Sequence, residues 1–303
     1  LQRRLERFRV ARGASPEPAT PGHGDGAWKG VELARRLADA LDGDVDAGPA
    51  GRVVRIEPPL LSIPLVRERL ASLPGHPGPM ARLVCLDTET TGLGTAAGTL
   101  AFLVGLGWWE GDRFRRLQLV CPDHGDEPAL LAALEAAIPT DAWLVTYNGR
   151  GFDWPLLVTR YRLHRRPAPA HAGMLDLLPG VRRLFRHRLG DARLATVERE
   201  LLGVQRHGDV GGWEIPGRYL DFIRGGDAEP LAPVLRHNAQ DVASLARLLA
   251  HLDTRYADPD RRAQAAVHGV VLLLSLTFLP FAPGEDWRPD AADGLSGHVL
   301  LLL

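Results

Sequence analysis

Between Arg82 and Gly94 the chain reads Arg-Leu-Val-Cys-Leu-Asp-Thr-Glu-Thr-Thr-Gly-Leu-Gly, an apolar run that closes on two carboxylates one residue apart. Leu83 to Leu86 has the composition of a short buried strand. Side chains alternate faces along a strand, so Asp87 and Glu89 point the same way, about 6–7 Å apart along the chain. Two carboxylates on one face repel each other unless positive charge stands between them, and a divalent cation or a pair of them is the usual solution. The glycines at 92 and 94 then let the backbone turn tightly. A strand running into a solvated acidic turn has the same local pattern, so only the rest of the chain can separate the two readings.

A chain of 303 residues can bury a full core in one or two domains. Its 45% hydrophobic and 24% charged content is ordinary for a globular protein. A net charge of −1 excludes a global basic field, so any nucleic-acid contact must come from a local patch. Arginine supplies nearly all the positive charge, Lys29 being the sole lysine. A GC-rich genome produces that bias as readily as function does. Cys85 and Cys121 both fall in expected strands and make no disulfide framework, which suits a reducing, cytoplasmic setting. No signal peptide is visible, and since the chain opens at Leu1 rather than Met, further residues ahead of it are expected.

Residues 1–50 read as a leader, disordered over much of 1–30, with helical apolar spacing at 31–41. Residues 51–80 read as an extended lead-in with a strand at 52–56 and a Pro-Gly-rich linker at 74–79. A compact domain is expected over 81–252. After the acidic strand come strand candidates at Leu100–Trp109 and Phe114–Cys121, joined by a hairpin turn through Glu110-Gly111-Asp112. A helix at Glu127–Ile138 and a strand at Ala142–Tyr147 follow. This order implies an α/β fold in which a mixed β-sheet is flanked by helices. Its first three strands are expected antiparallel, and the fourth parallel to the first after its helical crossover. Residues 253–303 form a tail without a functional account. Its apolar run Ala265–Ala282 contains His268, Gly269 and Pro280, so a buried helix or an incidental apolar tail is expected in preference to a membrane span.

Two further acidic positions stand out. The strand at 142–147 leads into Tyr147-Asn148-Gly149-Arg150-Gly151-Phe152-Asp153-Trp154-Pro155, which puts Asp153 at a helix start with Pro155 in the first turn. An N-terminal helix carboxylate is a common structural role, but the carboxyl ends of strands in open sheets are also where sites are built. On a late helix over Leu231–Leu252, His237 and Asp241 are four residues apart and share a face, beside an apolar stripe of Val234, Leu235, Val242, Leu245, Leu248 and Leu249. An ordinary polar pair on a helix has the same spacing. From Arg160 to Arg193 the chain holds nine arginines against Asp176 and Asp191. Such a cluster suits phosphate contacts, with Arg182, Arg183 and Arg186 the candidates, or is a solvated face.

Taken together, Leu86–Gly92, Tyr147–Asp153 and His237–Asp241 resemble the three motifs of the ribonuclease H-like Asp-Glu-Asp-Asp superfamily of 3′→5′ exonucleases. The segments Leu175–Leu178, Leu194–Gly203 and His237–Val242 are similar to its bacterial YprB-like branch, and the resemblance covers about residues 50–252. It implies a ribonuclease H-like mixed sheet and a set of four metal-binding carboxylates, Asp87, Glu89, Asp153 and Asp241. Two Mg²⁺ or Mn²⁺ ions are the implied cofactors, with no small-molecule cofactor. Single-stranded DNA or RNA ends are the implied partner, cleaved to nucleoside monophosphates. Thr90 and Asn148, inside the first two motifs, are expected substrate contacts beside the arginines. One departure marks the third motif. Familiar members carry a tyrosine four residues before the last aspartate or a histidine five before it, and here a histidine takes the tyrosine's spacing. Imidazole titrates near neutrality, so His237 is the candidate to accept a proton from the attacking water. A binding module that keeps the fold without turnover, and a phosphoesterase acting on other substrates, remain the alternatives. Nothing in the sequence separates DNA from RNA or names a protein partner.

Overall fold

A computed structural model describes residues 25–257, apart from 66–69, 71–72, 74, 76, 93–97 and 207. Residues 1–24 of the expected leader, Gly94, parts of the expected linker and the tail from 258 onward with its apolar runs lie outside the described residues. In chain order the elements are α1 (Asp25–Leu41), β1 (Asp44–Gly48), β2 (Gly51–Ile56), β3 (Leu61–Ser62), β4 (Arg82–Thr90), β5 (Ala101–Glu110), β6 (Arg113–Val120) and α2 (Glu127–Ala137). There follow β7 (Ala142–Thr146), α3 (Asp153–Leu163), β8 (Gly173–Asp176), α4 (Leu177–Phe185), α5 (Leu194–Val197) with a π-turn at Glu198–Leu202, α6 (Ile215–Ile223) and α7 (Ala232–Ala257). Among the described residues, no helix is long and apolar enough to cross a membrane.

The sheet runs β1-β2-β6-β5-β4-β7-β8, with β3 paired to β6. β4, β5 and β6 are antiparallel, and β7 lies parallel to β4 after the α2 crossover, which is the arrangement expected of the α/β fold. β8 extends the parallel part beyond β7. Residues 44–62 add strands to the far side, where β2 and β3 both pair with β6, and α1 packs on β2. β5 is buried along most of its length and reads as an unbroken apolar run rather than an alternating one, as a strand covered on both faces must.

Two apolar layers cover the sheet. Val84 and Leu86 of β4 pack with residues of α1, α2 and α3, whereas Leu83 and Cys85 pack with α4 and the C-terminal part of α7. The stripe on α7 is buried throughout, and it seats the helix across β4, β5 and β6. β5 accommodates that helix through two glycines. A Cβ at Gly105 would collide with the Asn238 side chain and lie 2.8 Å from Val242, and one at Gly107 would collide with Phe114 and lie 2.7 Å from Val242. The missing side chains let α7 lie close against the strand.

Candidate active site

The alternation along β4 continues into its acidic end. Asp87 Oδ2 accepts a 2.9 Å hydrogen bond from Asn238 Nδ2 of α7. On the opposite face the Thr88 hydroxyl donates to Asp153 Oδ1, at the start of α3, at 2.6 Å. Asn238 is wholly buried. Its amide is fixed because Gln118 Nε2 donates to its Oδ1 at 2.9 Å and to the Leu235 carbonyl at 2.8 Å. The glycines of β5 thus have a chemical outcome: they bring an amide of α7 within reach of a carboxylate on β4.

Asp241 stands one helical turn beyond His237, and a segment outside the three motifs meets both. Gly203 takes a φ of 65°, ends the π-turn and sends the chain back toward α7. Arg206 then enters the site with three nitrogens engaged separately: Nε donates to Glu198 Oε2 at 2.5 Å, Nη1 to Asp209 Oδ2 at 3.1 Å, and Nη2 to Asp241 Oδ1. His237 Nδ1 lies 2.8 Å from Asp209 Oδ1, while Nε2 lies 3.5 Å from Asp241 Oδ2. His237 Nδ1 also lies 3.1 Å from Arg206 Nη1, so both ring nitrogens face charged neighbours and the imidazole is oriented between Asp209 and Asp241.

The four carboxylates feel one another. Burial pushes the Asp87 carboxyl well above the usual carboxylate range, and the charges of Asp241, Glu89 and Asp153 push it further, against the Asn238 hydrogen bond. Burial raises Glu89 as well, with Asp241 and Asp153 adding to it and Arg206 opposing. Asp153 is pushed up to about 6, mainly by burial and against the Thr88 hydrogen bond. Asp241 is raised by burial, which outweighs the pull of His237 and Arg206. All four are therefore held where losing charge is easier than in water, the condition a cation relieves. Their donor set is carboxylate oxygen, which fits a hard divalent ion. In their present rotamers, no three His, Cys, Asp or Glu side chains among the described residues converge tightly enough to hold one. Asp87, Asp153 and Asp241 each turn an oxygen to a protein donor.

The remaining candidates lie farther out. The Thr90 hydroxyl donates to the Gly92 carbonyl at 2.6 Å, inside the turn. Asn148 is exposed, with φ of 65°, and its N–H donates to Asp176. The arginine cluster divides. Arg160 is paired with Glu127 and Arg166 with Glu135, whereas Arg182, Arg183 and Arg186 are exposed on and just after α4. Residue patterns pointed to neither Asn238, Glu198, Arg206 nor Asp209 as site residues. For Asn238 a signal existed, since it is a polar residue within the apolar stripe of α7. Glu198 stands among Thr196, Arg199 and Glu200, so its surroundings gave no such signal. Arg206 and Asp209 sit in a loop with no such frame.

A mixed sheet whose acidic strand meets one aspartate at a helix start and another on a late helix defines a ribonuclease H-like protein, and residues 84–253 match the RNase_H superfamily, to which this chain belongs. Members of that superfamily are nuclease-like hydrolases that typically use divalent metals. Over 175 residues the chain is 41% identical to the uncharacterised protein YprB of Bacillus subtilis (strain 168), a stretch that covers 57% of this chain and 42% of that protein. The chain therefore spans less than half the length of that relative, and the resemblance read from the three motifs, to ribonuclease H-like proteins of YprB type, is borne out.

Proposed function

We propose that this chain is a metal-dependent phosphodiester hydrolase of the 3′→5′ exonuclease type, acting on single-stranded DNA or RNA ends through two Mg²⁺ or Mn²⁺ ions. One observation carries the reading: Asp87, Glu89, Asp153 and Asp241, drawn from three separate segments, meet at the end of β4, where burial and the charges of Asp241 and Asp153 raise the pKa of both Asp87 and Glu89. When bound, such ions lower the pKa of water and offset the charge that develops on the phosphoryl group. The chain's own residues then orient and exchange protons. Asn238 and Gln118 hold Asp87, and Thr88 holds Asp153. Asp209 and Asp241 orient His237, the side chain that would accept a proton from the attacking water. Arg182, Arg183 and Arg186 grip the phosphate backbone, and Thr90 and Asn148 frame the strand end.

The test is degradation of matched 3′-labelled DNA and RNA oligonucleotides with and without Mn²⁺. Metal-dependent release of mononucleotides is expected, and its absence with both substrates removes the exonuclease reading. Hydrolysis confined to small phosphate esters moves the protein to another phosphoesterase class. A module that binds nucleic acid without turnover is the second reading, and the hold of Arg206 on Asp241 is the observation in its favour.

A further inference from the structure

Arg206 belongs to none of the three motifs, yet its guanidinium is bonded inside the carboxylate cluster. Besides lying 3.1 Å from His237 Nδ1 through Nη1, it meets three carboxylates, and these contacts differ in kind. Glu198 is fully buried and anchored on its other oxygen by the Ser244 hydroxyl and by Gln240 Nε2 at 3.3 Å. Asp209 is held by His237. These two carboxylates grip Nε and Nη1 from behind, and the contact with Asp241 uses Nη2 alone. A turn of the Asp241 side chain can therefore break that bond while the guanidinium keeps its other two partners.

We propose that Arg206 is a resident counter-ion of Asp241, a positioning residue that holds the carboxylate while no metal is bound and yields it to a divalent ion on metal capture. The inference rests on the metal-dependent reading of the site given above. Its physical basis is charge. A carboxylate largely withdrawn from water is costly without a partner, and Arg206 supplies Asp241 with one. A divalent ion at comparable range attracts Asp241 about twice as strongly as a guanidinium does, so the exchange runs toward the metal once it is present. Arg206 stays beside the site, still bonded to Glu198 and Asp209. One consequence follows for metal binding: every ion captured at Asp241 competes with Arg206, so this residue lowers the metal affinity of the site.

The experiment is calorimetric titration of metal-free protein with Mn²⁺, with thermal melts recorded on the same samples. Arg206→Met is expected to bind Mn²⁺ roughly tenfold more tightly than wild type, the lower end of what a charge-assisted hydrogen bond contributes. Its metal-free melting temperature is expected to fall, and saturating Mn²⁺ to raise it by more than it raises that of the wild type. Arg206→Met strands the buried Glu198, so Arg206→Met/Glu198→Gln removes both members and should show the same gain in affinity. If wild type binds Mn²⁺ and Asp87→Asn loses that binding, but neither Arg206 variant binds more tightly, the counter-ion inference falls and the metal reading stands. If neither wild type nor the variants bind Mn²⁺, both fall.

Discussion

Asp126 and Glu127, buried at the start of α2, and the four carboxylates around the end of β4 are the same kind of group in the same protein, treated differently. Glu127 receives Nε and Nη2 of Arg160 at 2.5 Å each and lies 2.7 Å from His164 Nε2. Asp126 receives the Arg52 backbone N–H at 3.0 Å together with its Nε and Nη2 at 3.1 and 3.0 Å. Each acid there has its own cation, and the cluster stitches α2 to β2 and α3. Around β4 the acids lean mainly on neutral donors, the Asn238 amide and the Thr88 hydroxyl, and a single guanidinium serves Asp241, Glu198 and Asp209 together. Burial of carboxylates does not by itself mark a site. What sets the end of β4 apart is a shortage of protein cations around acids largely withdrawn from water, and such a shortage is the commoner mark of a site.

That contrast can be broken by mutation. The largest effect is expected for Asp87→Asn, which should lower metal-dependent nuclease activity by more than about 10²-fold, beyond the loss of an outer-sphere partner. The metal-free fold should be retained or stabilised at neutral pH, as circular dichroism melts would show. Glu127→Gln should do the reverse. It leaves Arg160 underpaired and should cost on the order of 3 kcal/mol in urea unfolding, with the turnover of the folded fraction unchanged. Equal stability losses at both positions would erase the distinction.

Gly105→Ala drives a methyl group into Asn238. It should cost about 1–3 kcal/mol by overpacking and loosen the hold on Asp87, read as weaker Mn²⁺ binding at a temperature where the variant is folded. The pH dependence sharpens the comparison further. Asp153 sits at about 6 in the folded protein against an ordinary 3.8. The native state therefore binds its proton more tightly, and the stability this group contributes is full below pH 3.8 and is lost as the pH rises through about 6. The loss is on the order of 1–3 kcal/mol. Metal-free wild type should show this fall in melting temperature between pH 4 and 7, and Asp153→Asn should flatten it. The smallest effect is expected of Arg182, Arg183 and Arg186 changed together to Ala: weaker nucleic-acid binding with a shallower salt dependence and no change in sequence preference. An unchanged salt slope would make those arginines a solvated face.

The three acidic motifs and the central strands were legible because they rest on short-range rules. Apolar runs, a hairpin turn and a helix with an uninterrupted stripe each declare themselves within a dozen residues, and parity along a strand places Asp87 and Glu89 together before any partner is known. β1 and β8 were not read. Asp44-Val45-Asp46-Ala47-Gly48 is exposed and polar, and Gly173–Asp176 is too short to show alternation, so the neighbouring strand determines each. The arginine cluster misled in part for the same reason. Composition over 160–193 cannot separate Arg160, sealed against Glu127, from Arg182, open to solvent. Arg206 and Asp209 escaped notice because their role exists only after Gly203 reverses the chain and brings a loop against α7.

Asp176 ties together two parts of the molecule, the α4 helix and the turn before α3. Its Oδ1 accepts from the Asn148 and Leu178 N–H groups at 2.8 and 3.1 Å, and its Oδ2 from the Arg150 N–H at 3.2 Å. One side chain thereby caps α4, which carries Arg182 and Arg183, and fastens the turn that delivers Asp153. Arginine helix and aspartate turn thus share a joint: the carboxylate that sets where α4 begins also sets the path of the chain into α3.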